Sequence, residues 1–400
     1  MLKYTYKNDK KIKYKKKRTL KLTLKRGFKK ALRPGLIIKN MTPSLDTRLS
    51  NEIANNILKG TNDATQLVAV SNSNSYSPEI NKYLVSKTAT SPKEFFICNN
   101  SLLKINIDPR HSSLCLDYQD RRVTAFFLKN LKNNKVECGE IIPPKQYLSN
   151  CWFNTMFVTF FISDKGRKFF KFFRQLMIEG RQLDNKPIPD NLAKAFFILN
   201  LAIEASQNRA FRSLNYLLNT NLIIRKIYDA INKSRDTKNY SAIPNANKFG
   251  NPLEYYLGIM KYLNNKDLNI QVIECNTSAS ENLITSIIKT NRKSQPEIII
   301  LEILDNAKIM DRQDAITINN IKYVLDAAVI RDTGREHVAS VLICNGVEFA
   351  FDGASYKRLS PFKWKRLINK NQDWGFEGHD LKWNFTNCYQ QLYYYRETFL

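Results

Sequence analysis

The chain is poor in histidine, with three in 400 residues, and short of acid, with 36 Asp and Glu against 63 Lys and Arg. So few histidines narrow imidazole chemistry to His111, His337 or His379. No C-x-x-C pair occurs, which removes the usual thiolate spacing of a zinc site. The seven cysteines are odd in number and follow no framework spacing, so they argue for reduced thiols rather than a disulfide scaffold, and hence for an intracellular compartment. No segment reaches the roughly 18 consecutive apolar residues of a spanning helix. The N-terminus, Met-Leu-Lys-Tyr, enters lysines without the apolar stretch of a secretory signal. The expectation is a chain with no transmembrane segment, working in cytoplasm or nucleus.

What is present is a sizeable apolar fraction, 43%, enough for one large core or two modest ones. The net charge of +27 is unevenly placed: residues 1–40 hold 16 Lys or Arg and a single acid, Asp9. That basic arm reads as disordered and suited to polyanions, nucleic acid first, through counterion release. Tyr4, Tyr6, Tyr14 and Phe28 lie among its lysines, available to stack on bases. Residues 41–93, rich in Ser, Asn and Thr and including SNSNSYSP, read as a linker. From Glu94 apolar periodicity is sustained nearly to Leu400, so 94–400 is expected to be the folded domain.

Within that domain the helical periods come first and the strands last. Cys151–Ile162 places Phe153, Phe157, Phe160 and Phe161 at helical spacing, with Ser149 or Asn150 at the N-cap position. Further helices are expected near 165–179, 191–206, 221–233 and 252–263. Strand-like runs begin at Asn269, Glu297, Tyr323, His337, Val347 and Gln391. Helices followed by an antiparallel sheet make an α+β fold.

A cysteine that opens a helix has chemical meaning, because the unpaired amides and the helix dipole favour the thiolate, the nucleophilic form. Cys151 stands there. A base is needed, and His337 is best placed: it opens an alternating strand that turns at Asn345-Gly346 into a second strand ending at Asp352. Such a hairpin brings Asp352 back beside His337, where an acid orients the imidazole and stabilises its cation. Asp326 and Asp332 are rival acids, and His111 and His379 rival bases.

The stretch QYLSNCWFNTMF from Gln146 resembles the cysteine box of the ubiquitin-specific protease family, N-x-x-x-T-C-Y-x-N-S-x-L, in Trp152, Asn154, Thr155 and Phe157. The later residues Tyr323, Leu325, Ala327, Val329, His337, Gly346, Phe349, Phe351 and Asp352 are similar to its histidine box, and QQLYYYRE from Gln390 to its closing strand. The resemblance implies a papain-like cysteine peptidase fold, with a helical N-terminal lobe bearing the nucleophile and an antiparallel sheet carrying His and Asp. It implies Cys151, His337 and Asp352 as triad, Gln146 as oxyanion donor, no metal or organic cofactor, and ubiquitin or a ubiquitin-like protein as substrate. Departures are Leu148 and Glu336, where the family has glycine, Val338, where it has an aromatic, and the missing C-x-x-C pairs of the fingers region. The Lys-Asn-Ile-rich composition and basic arm look like divergent members from large DNA viruses, which implies a host-cell location or packaging in a virion. Two alternatives stand beside this reading: a viral precursor-processing cysteine peptidase, and a catalytically inactive basic protein that binds nucleic acid or serves as a virion component. Cys98, Cys115, Cys138, Cys275, Cys344 and Cys388 read as core or surface thiols, and Phe169, Phe170, Phe172, Phe173, Trp364 and Trp374 as packing residues.

Overall fold

A computed structural model describes residues 36–40, 95–98, 101–108, 115–132, 136–207, 219–232, 270–275, 296–304, 312–355 and 358–397, with Leu253, Ile259, Met260, Tyr262 and Leu263. His111, residues 1–35 of the basic arm and the linker at 41–93 lie outside them. All described residues belong to one compact unit, Leu36–Leu400.

The helices are α1 (Arg121–Lys132), α2 (Cys151–Phe161), α3 (Asp164–Glu179), α4 (Asp190–Gln207) and α5 (Thr220–Asn232). The last four match the expected helices to within a residue or two. Of the helix expected at 252–263, the five described residues are helical. Helix α2 is buried along its whole length and α4 along most of its own, so both are wrapped on every side, whereas α3 presents one apolar stripe. Phe169, Phe170, Phe172 and Phe173 of α3 are core residues. Ser163 caps α3 by accepting the Gly166 N–H, and Gly180 ends it at φ 67°, a left-handed C-terminal position that suits glycine.

The strands are β1 (Leu36–Asn40), β2 (Phe96–Cys98), β3 (Ser101–Asn106), β4 (Leu116–Asp117), β5 (Ile270–Cys275), β6 (Ile298–Ile303), β7 (Ala315–Ile318), β8 (Ile321–Arg331), β9 (Val338–Cys344), β10 (Val347–Phe351), β11 (Ser360–Pro361) and β12 (Gln390–Arg396). Among the described residues one sheet runs β1-β5-β6-β12-β8-β9-β10-β11 with β7 on β8, and β2-β3-β4 form a second. The architecture is α+β. Two details differ from the sequence expectation. Strands β5 and β6 pair in parallel, so the main sheet is mixed, although β8, β9 and β10 are antiparallel as expected. Leu36–Asn40, the end of the stretch read as a disordered arm, pairs with β5.

The main sheet separates two cores. One lies among α1–α5 and the sheet face carrying Val329, Leu342, Phe351 and Tyr393; the other lies under the 359–388 segment, where Trp364, Trp374, Trp383 and Phe385 cover the opposite face. That alternation of faces follows from the two-residue period of a strand.

The thiols are the clearest correction. Cys98 pairs with Cys115 and Cys138 with Cys344, each with Cα atoms 6.0 Å apart. Cys151, Cys275 and Cys388 stay outside any disulfide, and all three are buried. The pairs close over 17 and 206 residues, separations that carry no local signal, and with four thiols paired the cysteine argument for an intracellular compartment lapses. No helix among the described residues is long and apolar enough to cross a membrane.

Candidate functional site

Cys151 is the first residue of α2 and is 5% exposed. Asn150 holds the N-cap position, yet its side chain makes no capping bond. Its carbonyl accepts the Phe153 and Asn154 N–H groups, while its side-chain oxygen accepts the Tyr147 N–H at 3.0 Å and its amide donates to Thr220 Oγ1 at 3.0 Å. The helix therefore starts without the usual side-chain cap, leaving its positive end turned toward the thiol.

Cys151 stands close enough to His337 to favour the imidazolium of that ring. The β9–β10 hairpin explains the placement. Asn345 and Gly346 have φ values of 49° and 74°, the pair of positive values a two-residue primed turn needs. Asp164 at the start of α3 accepts both of their N–H groups at 2.8 Å, tying the turn to the helical lobe. Phe351 pairs with Ser340, so Asp352 falls opposite Ala339, two residues from His337 and on the same face of the sheet. His337 Nε2 meets Asp352 Oδ1 at 2.5 Å, which leaves Nδ1 for the thiol.

Both partners are held from behind. Asp352 accepts the Ala354 N–H at 3.0 Å, the Ser355 N–H at 3.2 Å and the Ser355 hydroxyl at 2.7 Å. Asp332 accepts the His337 N–H at 2.7 Å and the Glu336 and Gly334 N–H groups at 2.8 and 3.0 Å, folding the 333–337 turn around itself. Burial disfavours the imidazolium of His337, but its hydrogen bonds to Asp352 and Cys151 and the charges of both outweigh that and push its pKa up to about 10. Burial would raise Asp352; the His337 hydrogen bond and charge, with the turn donors, hold it below the usual carboxylate range instead.

Gln146 lies in the loop that leads to Cys151. Its N–H donates to Gly353 O at 2.9 Å, and its side-chain amide donates to Leu148 O at 3.2 Å, which leaves the second amide hydrogen uncommitted. Its side-chain oxygen is buried without a partner. Leu148 stands at φ 61°, a left-handed conformation costing a non-glycine residue about 1–2 kcal/mol. It is also 59% exposed, beside Tyr147 at 44%. The Tyr147 carbonyl accepts the Asn221 amide at 2.8 Å. The Thr220 hydroxyl donates to Asn154 Oδ1, and Asn154 Nδ2 is buried without a partner. A Cβ at Gly353 would come within 3.2 Å of that nitrogen and 3.3 Å of Gln146, so the loop after Asp352 lies directly on the loop before Cys151.

The structure thus brings Cys151, His337 and Asp352 near one another, with His337 bonded to Asp352 and Gln146 on the adjoining loop. It assigns the rivals elsewhere. Asp326, raised to about 6 chiefly by burial, accepts the Lys165 and Gly166 N–H groups at the start of α3. Asp332 serves the main chain, and His379 sits in the 375–382 loop with its N–H on Phe376 O. Thr220 and Asn221 have no counterpart in the sequence reading; they come from a helix 70 residues downstream, and only tertiary structure reveals them. Among the described residues no group of three or more His, Cys, Asp or Glu side chains is arranged to hold a metal ion.

No protein-family model matches the chain, and no curated protein matches it. Solved structures similar to it include the SAGA Ubp8/Sgf11/Sus1/Sgf73 DUB module bound to ubiquitin aldehyde, at 10% identity over 66% of this chain and 71% of that one, with a TM-score of 0.39. A form of that module with a substituted Ubp8, bound to monoubiquitin, matches at 10% identity over 65% of this chain and 70% of that one, with a TM-score of 0.39. An essential yeast splicing factor matches at 11% identity over 74% of this chain and 83% of that one, with a TM-score of 0.33. Likeness at such identity does not fix a substrate.

Proposed function

We propose that this chain is a thiol-dependent hydrolase that cleaves peptide or isopeptide bonds of ubiquitin or ubiquitin-like conjugates, with Cys151 as nucleophile, His337 as general base and acid, and Asp352 as orienting group. The observation that carries the reading is the nearness of the Cys151 thiol, at an uncapped helix start, to an imidazole whose Nε2 is bound to a buried carboxylate.

His337 takes the thiol proton and forms an imidazolium stabilised by Asp352; the thiolate attacks the carbonyl carbon. The resulting oxyanion is received by the Cys151 N–H and the free amide hydrogen of Gln146. His337 then gives its proton to the departing amine, leaving a thioester, and activates the water that hydrolyses it and regenerates the thiol. The resemblance of the cysteine and histidine boxes supports ubiquitin as the acyl donor. The test is a ubiquitin probe with a C-terminal electrophile, applied to the native chain, Cys151→Ala and His337→Ala. An adduct mapped to Cys151 and lost in both variants is expected. No adduct, with Cys151 still labelled faster than the other thiols by a generic electrophile, moves the substrate to another protein; no selective labelling removes the enzymatic reading.

The 16 basic residues among the first 40 favour a second partner, nucleic acid or another polyanion. Removing residues 1–35 should abolish salt-sensitive binding of nucleic acid and leave hydrolysis intact; undiminished binding would refute the arm's part in it.

A further inference from the structure

The loop before Cys151 has little of its own to hold its shape. Leu148 is left-handed and exposed, and the segment 141–150 contains no helix or strand. Yet both main-chain polar groups of Tyr147 are fixed by side chains, the N–H by Asn150 and the carbonyl by Asn221. Asn150, placed where it would ordinarily cap α2, spends its side chain on Tyr147 and Thr220. Thr220 is 0% exposed, and its single hydroxyl joins Asn150, just before the nucleophile, to Asn154, one turn after it. Asn154 in turn aims a buried, unpartnered amide nitrogen at Gly353, whose carbonyl holds the Gln146 N–H.

We infer that Thr220 and Asn221, the first two residues of α5, are positioning residues that fix the 146–150 loop so that the Cys151 N–H and the Gln146 amide converge on one oxyanion. The inference rests on the thiol-hydrolase reading above. The side-chain hydrogen bonds of both residues go to Asn150, Asn154 and Tyr147 rather than to the thiol or the imidazole. Diverting Asn150 from its capping role keeps the first amides of α2 open, and anchoring Tyr147 fixes the peptide planes that follow it. A structural role alone would weaken folding without separating thiol reactivity from oxyanion binding; the positioning role separates them.

The test uses the full-length chain with Thr220→Val, which keeps the shape and loses the hydroxyl, Thr220→Ser, which restores it, and Asn221→Leu. Two rates are compared. Alkylation of Cys151 by iodoacetamide reports the thiol and needs no oxyanion site. Protection of Cys151 against that alkylation by a tripeptide aldehyde reports the hemithioacetal, whose oxygen occupies the oxyanion position without requiring ubiquitin. For Thr220→Val and Asn221→Leu the expected result is an alkylation rate within about twofold of native and aldehyde protection weakened by about 10- to 100-fold, in the range seen when an oxyanion donor is lost or misplaced. Thr220→Ser should recover protection to within about threefold. On a ubiquitin C-terminal fluorogenic amide the loss should fall on kcat, with KM little changed. Unaltered protection in folded Thr220→Val, an equal loss of alkylation and protection, or failure of Thr220→Ser to rescue would each overturn the inference. A native chain whose Cys151 shows no selective alkylation would instead sink the hydrolase reading, and this role with it.

Discussion

Replacing Asp352 with Asn probes the site most sharply, because it removes one charge and almost no volume. The carboxylate has two duties. One oxygen meets His337 Nε2 and the Ala354 N–H, and the other accepts the N–H and hydroxyl of Ser355. An asparagine amide satisfies one side and opposes a donor to a donor on the other, whichever way it faces. The lost charge-assisted bonds should cost about 1.5–3 kcal/mol of stability. The electrostatic effect is larger for chemistry. An opposite charge in contact shifts a pKa by about 1–3 units. With Asp352 neutral, burial pulls His337 down from about 10 with only Cys151 left to oppose it, so the variant's value should fall by about 1–3 units. The assay is the pH profile of Cys151 alkylation and of kcat/KM from pH 4 to 11. The alkaline limb, where the imidazolium is lost, should move downward by that amount in Asp352→Asn, with kcat lower by about 10²–10⁴ because the wrong tautomer is favoured. Stability carries the same sign. A histidine raised from 6.5 to about 10 contributes fully below pH 6.5 and loses that contribution as pH climbs to about 10, while the depressed Asp352 contributes above the ordinary carboxylate range and less in acid. Native protein should therefore lose more stability than Asp352→Asn between pH 6.5 and 10 in urea titrations. An alkaline limb at the same pH in both proteins would refute the claim that Asp352 holds the charge on His337.

Gln146→Ala should lower kcat by about 10²-fold with KM and Cys151 alkylation nearly unchanged, as steady-state and labelling rates will show; equal kcat would remove Gln146 from the oxyanion site. Gly353→Ala places a methyl 3.2 Å from Asn154 Nδ2 and 3.3 Å from Gln146, so the two loops must part by a few tenths of an ångström. Activity should fall about tenfold with a change of under about 1.5 kcal/mol in urea unfolding, and full activity would mean the loops yield freely. In the helical lobe Arg174 bonds Glu204 at 2.6 Å and Asn200 at 3.0 Å, all three buried. Arg174→Met breaks this buried ion pair, and urea unfolding should register about 3–5 kcal/mol of destabilisation without altering the pH profile of any surviving activity.

Most of the helices and strands were readable because each has a local cause. The aromatic spacing after Cys151 specifies α2, and the Asn345-Gly346 turn between alternating runs specifies the β9–β10 hairpin, which in turn brings Asp352 back to His337. The sequence reading missed α1 and the strands β1–β4, β7 and β11, of which β4 and β11 are only two residues long. It also missed whatever depends on distant partners. The parallel pairing of β5 with β6, the Cys138–Cys344 bond and the bonds from Thr220 and Asn221 are set by how elements pack, and no period or spacing encodes them. The expected N-cap was half right: Asn150 is at the position, but the pull of Thr220 and Tyr147 takes its side chain elsewhere.

The Cys138–Cys344 bond makes a covalent ring of the polypeptide between those residues, and that ring carries both Cys151 and His337. A protease that nicks the backbone once anywhere inside it produces two fragments that cannot diffuse apart. The nicked protein should migrate as one species on a non-reducing gel and as two after reduction. Survival of Cys151 labelling after such a cut would then depend on whether the ring is closed.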